Sequence, residues 1–256
     1  MSSSKIPRRR FVAGLSILSV GAARSAFAQS TRSKPHTFVL VHGAWHGGWC
    51  WKRVAPLLRA AGHDVYTPTL TGLGERAHLA TPDVDLETHI TDIGSVFFYE
   101  DLHNVVLVGH SYGGMVVGGV APRVVNRLAG VIYLDAFMPE DGKSLADYAK
   151  FQPPPDVWRL PAGSPTRWGV TKPEDVAWME ERLSEHPVRT VMQPVRIESD
   201  IAARVPHTYI QCTDAPQILE AAGRAKRRGF KVRELSGAGH DAMVTRPADV
   251  AKLLME

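Results

Sequence analysis

From Thr37 to the C-terminus, short apolar runs alternate with longer stretches in which apolar residues recur at helical spacing. The runs Thr37 to His42, Asp64 to Thr67, Val105 to Gly109, Val131 to Leu134, Thr208 to Cys212 and Lys231 to Leu235 predict strands. Several are apolar at nearly every position, as parallel strands covered on both faces must be. Between them, Trp51 to Ala61, Leu86 to Glu100, Tyr112 to Asn126, Gln217 to Arg228 and Ala248 to Met255 read as helices, with Gly62 placed as a C-terminal stop. Strand-helix alternation of this kind predicts an α/β protein with a mostly parallel, doubly wound sheet.

One stretch breaks the rhythm. Residues 139–206 hold 10 of the 18 prolines, together with Trp158, Trp168 and Trp178, and no convincing strand. Three tryptophans are a heavy apolar load to leave in water, so the stretch reads as a small helical cap folded over one end of the sheet rather than a wandering loop. No internal repeat or low-complexity tract accompanies it.

Composition narrows the picture. With 256 residues, 44% of them hydrophobic and 22% charged, the chain fits one sizeable globular domain and is neither disordered nor a multispan membrane protein. The formal charge of +4 invites an anionic partner, but Lys5, Arg8, Arg9, Arg10 and Arg24 sit in the first 28 residues with no acid among them. The other 228 residues therefore carry −1 and offer no basic block for nucleic acid. That leader has twin arginines, a modest apolar run from Phe11 to about Ala23, and Ala26-Phe27-Ala28 as a small-x-small cleavage signal. It predicts a twin-arginine-type signal peptide over residues 1–28, a mature domain over 29–256, and a periplasmic or secreted location. The run is too short and too rich in Gly and Ser for a stable span of about 20 apolar residues. Cys50 and Cys212 are expected to be two separate buried thiols.

The chemistry gathers on Gly109-His110-Ser111-Tyr112-Gly113, an apolar strand running through Gly-x-Ser-x-Gly into a helix. A serine on such a turn is pushed clear of the sheet, and side chains two positions to either side would collide, hence the glycines. A serine hydroxyl needs a base oriented by an acid, and in hydrolases built on this turn the chain order is nucleophile, acid, histidine. Of His186, His207 and His240, which follow Ser111, His240 lies in a loop after the last strand and is the expected base. His207 reads as structural and His186 as a pocket residue. Asp135 and Asp214 both sit at the carboxyl ends of strands, where the site of an open α/β sheet lies, and either is a candidate acid. The oxyanion donors are expected to be the amides of Tyr112 and of Ala44, on the turn after the first strand. Trp45 and Phe137 are expected to join His186 along the substrate. His42 and His46 have an H-x3-H spacing, but they lie in a glycine-rich turn with no carboxylate or third ligand beside them in sequence, so no metal or cofactor is expected.

Four ordered motifs, Leu40 to Trp49, Gly109 to Gly114, Tyr133 to Pro139 and Gly239 to Met243, resemble the α/β-hydrolase superfamily. The resemblance runs from Thr37 to the C-terminus, is weakest in the cap, and falls in the branch of plant methylesterases, salicylate-binding esterases and hydroxynitrile lyases. It implies an α/β-hydrolase fold with the cap inserted after the sixth strand, and a serine hydrolase acting on a small, largely apolar ester or carbamate. The lyases carry a threonine in the first turn and a lysine after the catalytic histidine, where this chain has Gly43 and Asp241, which argues against cyanohydrin cleavage. Ser111 excludes the carboxylate-nucleophile chemistry of haloalkane dehalogenases. The plant enzymes place their acid at the position of Ala215, one beyond Asp214, whereas other superfamily members place it at the earlier strand end, so the resemblance favours Asp135. The first turn, Thr71 to Leu79 and Tyr133 to Phe137 are similar to bacterial esterases that hydrolyse the carbamate carbendazim. A slow-turnover small-ligand binding protein is the rival from another class, and a cofactor-free lyase or perhydrolase the rival among enzymes.

Overall fold

The computed structural model describes residues 35–197, 201, 204–215 and 218–256. The expected signal peptide lies outside them. Six strands, β1 (Thr37–Val41), β2 (Asp64–Tyr66), β3 (Val105–His110), β4 (Leu128–Leu134), β7 (His207–Cys212) and β8 (Lys231–Leu235), form one sheet in the order β2-β1-β3-β4-β7-β8. Every pairing in it is parallel. Two short strands, β5 (Arg159–Leu160) and β6 (His186–Pro187), pair antiparallel outside this sheet.

The central strands are buried on both sides because successive side chains feed opposite layers. Val39, Val41, Val105 and Leu107 pack into one apolar layer, while Phe38, Leu40, Val106 and Val108 pack into the other. Helices follow in chain order: α1 (Ala55–Ala60), α2 (Leu86–Tyr99), α3 (Gly113–Arg123), α4 (Leu145–Ala149), α5 (Pro173–Glu180), α6 (Val188–Met192), α7 (Leu219–Arg227), α8 (Ala242–Thr245) and α9 (Pro247–Met255). Residues of α2, α3 and α7 cover the first layer and those of α1, α8 and α9 the second. Local chemistry sets several boundaries. Asp85 and Thr88 form a reciprocal capping box at the start of α2, Pro173 and Pro247 open α5 and α9, and Gly62 at φ +95° ends the turn after α1.

The described residues between β4 and β7 hold α4, α5, α6 and the β5-β6 pair. Two sequence expectations change here. The insertion leaves the sheet after its fourth strand in chain order, not the sixth, because the described sheet begins at Thr37. The stretch also contains a strand pair, missed because two-residue strands carry no alternation to read. None of the described helices is long and apolar enough to cross a membrane.

Candidate active site

Strand β3 runs directly into Ser111, whose backbone stands at φ +53°, a conformation few L-residues adopt. The neighbouring strand holds it there: the Ser111 amide donates to the Leu134 carbonyl (3.4 Å), and the Ser111 carbonyl accepts from the amides of Gly114 and Phe137 (3.0 Å each). The glycines on either side are sterically required. A Cβ on Gly109 would come within 2.7 Å of the Gly113 carbonyl oxygen, and one on Gly113 within 2.7 Å of those of Val41 and His42.

Asp135 follows β4 and is also left-handed, at φ +40°. Its amide donates to the Ile210 carbonyl (2.7 Å), and its Oδ1 accepts from the Cys212 amide (3.2 Å), so β7 fixes both backbone and carboxylate. Oδ2 lies 2.6 Å from Nδ1 of His240, across 105 positions of sequence. A carboxylate accepts, so Nδ1 carries the proton and the lone pair falls on Nε2, the tautomer a general base requires. Burial alone would lower the His240 pKa, but the hydrogen bond and charge of Asp135 outweigh it and raise the value. Asp214 is exposed, and its carboxylate accepts from Thr213.

Ser111 and His240 face one cavity of about 460 Å³. Ala44 and Tyr112, the expected oxyanion donors, line it beside them, as do Trp45 and Phe137. The inserted segment supplies the opposite walls with Leu145, Tyr148, Phe151, Leu160, Trp168 and Val191. Apart from Trp168, one of the tryptophans assigned to the cap, these apolar residues escaped the sequence reading. The one local signal was the Ser144-Asp147 capping box that starts α4 and marks a helix within the proline-rich stretch. Of the three tryptophans in the insertion, only Trp168 lines this cavity; the Trp178 ring lies edge-on to Trp49, and the Arg159 guanidinium lies over Trp158.

His186 is corrected. It is fully buried and stands behind the cavity wall, accepting from the Trp45 amide on Nδ1 (3.3 Å) and meeting Thr190 Oγ1 through Nε2 (2.7 Å). Because Thr190 Oγ1 donates to the Pro187 carbonyl (2.7 Å), His186 donates to Thr190. Its ring is therefore satisfied in the neutral form, consistent with a pKa driven well down by burial. The Trp45 backbone it supports is left-handed at φ +66°. His89, on α2, does similar work for Tyr112: Nδ1 accepts from the phenol (2.8 Å) while Nε2 donates to the Thr71 carbonyl (2.8 Å).

The remaining candidates resolve by their partners. His42 donates from Nδ1 to the Gly43 carbonyl (2.8 Å) and accepts on Nε2 from the Leu70 amide (3.0 Å), so both nitrogens are spent on holding the first turn. Burial is the main force lowering its pKa, to about 3. His207 stacks on Phe230 (4.5 Å). Cys50 and Cys212 are both buried and free.

Comparison with known proteins agrees with this architecture. Residues 38–253 match the Alpha/beta hydrolase family, and the chain belongs to it. It is 56% identical over 120 residues to the carbendazim hydrolyzing esterase of Nocardioides sp. (strain SG-4G), a match spanning 47% of this chain and 50% of that one. It is 30% identical to salicylic acid-binding protein 2 of Nicotiana tabacum over 86% of this chain and 95% of that protein. An extracellular alpha/beta-hydrolase from a Paenibacillus species superposes with a TM-score of 0.74 at 24% identity, covering 86% of this chain and 98% of its own, a likeness of fold.

Proposed function

We propose that the protein is a serine ester hydrolase, with Ser111 as nucleophile, His240 as general base and Asp135 as the acid that orients it. The observation that carries this reading is the 2.6 Å contact between His240 Nδ1 and Asp135, in a chain whose strained Ser111 opens on the same cavity as His240. Ser111 Oγ attacks the carbonyl carbon while His240 Nε2 takes its proton. The amides of Ala44 and Tyr112 bind the oxyanion. His240 then protonates the departing alcohol, and water, deprotonated by the same nitrogen, releases the acid and regenerates the serine.

The substrate class is a small, largely apolar ester or carbamate. Support comes from the size of the cavity and from its aromatic and aliphatic walls. The name of the Nocardioides relative supports including carbamates. The test is a panel of methyl, aryl and carbamate esters assayed with wild type and Ser111→Ala, alongside labelling by a fluorophosphonate. Sustained turnover with loss of both activities in the variant is expected; activity that survives Ser111→Ala overturns the mechanism. The second reading, slow-turnover ligand binding, is favoured by the name of the tobacco relative. It requires weak labelling and no sustained product release.

Export of the mature domain after cleavage behind Ala28 is part of the same proposal, supported by the arginines and the small-x-small signal of the leader. N-terminal sequencing of protein recovered from the periplasm or medium tests it, and an intact Met1 there overturns it.

A further inference from the structure

Asp241, the residue after His240, is fully buried, and neither of its carboxylate oxygens has a hydrogen-bond partner among the described residues. A buried carboxylate is costly unless a proton or a cation meets it. Three imidazoles lie around it. His110 Nε2 is 3.7 Å from Oδ1, but it already donates to the His240 carbonyl (3.0 Å), and burial holds that ring neutral. The proton on His240 Nδ1 goes to Asp135.

His46 remains, with Nε2 3.4 Å from Asp241 Oδ2 and no hydrogen bond of its own. Its Nδ1 lies 2.7 Å from the Ala44 carbonyl oxygen. That oxygen only accepts, so Nδ1 bears a proton, and Nε2 and Oδ2 would face each other with bare lone pairs unless a second proton lies between them. Trp49 stacks on the His46 ring at 5.2 Å, and Trp168 packs against it at 5.4 Å. Burial pushes the Asp241 pKa up, yet His46, His110 and His240 together bring it below the usual carboxylate value.

We propose that His46 and Asp241 share a proton and form a strut between the loop carrying His240 and the turn carrying Ala44. They are positioning residues: the strut holds the oxyanion donor in register with the base. At one end, Asp241 is continuous with His240, and its amide donates to the Trp168 carbonyl (3.2 Å). At the other end, the Nδ1 bond of His46 spans left-handed Trp45 and restrains the Ala44 carbonyl. The His42-x3-His46 spacing thus divides into one histidine that pins the turn and one that ties it to the base. This inference rests on the serine-hydrolase reading of the site. The titratable groups around the pair are His110 and His240, His42 and His186 beside His46, the thiol of Cys50 on the turn after β1, and that of Cys212 at the end of β7; both thiols are raised first by burial and then by nearby carboxylates, Asp241 among them.

The test combines kinetics with a spectroscopic readout. Asp241→Asn and His46→Gln are each expected to lower kcat about 10- to 100-fold, the scale set by a small misplacement of catalytic groups, with KM within about 3-fold of wild type. The double variant should lose little more than the worse single one, because both changes break one strut. In wild-type and Ser111→Ala protein with ¹⁵N-labelled histidine rings, a downfield proton resonance coupled to His46 Nε2 is expected, absent from both single variants. Unchanged kcat, losses that multiply in the double variant, or a bare His46 Nε2 in wild type would each overturn the proposal. The wild-type spectrum keeps the test in force if a variant does not fold. Activity surviving in Ser111→Ala would instead strike the hydrolase reading and leave the spectrum to judge the strut.

Discussion

The two walls of the cavity are built in different ways. One is made by the carboxyl ends of parallel strands and the turns that leave them, where Ala44, Ser111, Tyr112, Phe137 and His240 are held by backbone hydrogen bonds and left-handed residues. The other is made by the short helices and strand pair between β4 and β7, which present Leu145, Tyr148, Leu160 and Trp168 through side-chain packing. In the proposed mechanism the strand-end wall carries the groups that must be placed to a fraction of an ångström for charge to develop on an oxyanion. The inserted wall carries surface area, which tolerates smaller adjustments. Under the proposed mechanism the difference teaches that rate and selectivity reside on separate parts of this chain: changes on the first wall should act on kcat, and changes on the second on KM.

The largest effect that would break this division is at Ser111. Ser111→Ala should lower kcat by about 10⁴-fold with thermal unfolding close to wild type, read by release of p-nitrophenol from a short-chain ester. Asp135→Asn should cost about 10³- to 10⁴-fold, since it disturbs the tautomer of His240. The same assay on Asp214→Asn should stay within about 2-fold, as expected of an exposed side chain away from the site. A severe loss in Asp214→Asn with a mild one in Asp135→Asn would move the acid to the other strand.

The pH profile sharpens the division further. In the proposed mechanism the base is neutral His240, so kcat/KM should rise with pH as that ring loses its proton. Burial pulls its pKa down, but Asp135 outweighs that and raises it, which moves the acid limb to higher pH than an unperturbed imidazole would give. In Asp135→Asn the limb should shift to lower pH, measured on whatever activity remains, whereas Leu145→Ala should leave its position unchanged. On the inserted wall, Leu145→Ala should raise KM for an aryl ester about 5-fold and leave kcat within about 2-fold, by loss of apolar contact. A fall in kcat there with KM unchanged would mean that the two walls are not separable.

The strand-end wall was also the more legible of the two. Ser111 could be read from five consecutive residues because its turn is a local steric problem that only glycine at 109 and 113 solves. The first turn was visible for the same reason, and the alternation of strands and helices was strong enough to predict the parallel sheet. His186 was misplaced because a histidine in a proline-rich stretch gives no sign of which way its ring turns. Only the folded insertion shows it behind Trp45, with both nitrogens satisfied. The roles of Leu145 and Tyr148 were hidden because a five-residue helix such as α4 carries too little periodicity to assign a face.

The sequence by itself determined the strands and the strained serine turn, since both follow from contacts between near neighbours along the chain. Asp135 and Asp214 both stayed open in the sequence, and the contacts that support Asp135 exist only in the tertiary structure. Both close a strand, but β4 lies between β3 and β7, so Asp135 is held by the Cys212 amide and meets His240, while Asp214 faces solvent. The approach of His46 to Asp241 was decided in the same way, 195 positions apart in sequence and 3.4 Å apart in space. Polar pairs of this kind carry no periodic signature; they exist only where the sheet order brings two strand-end loops into one dry interior.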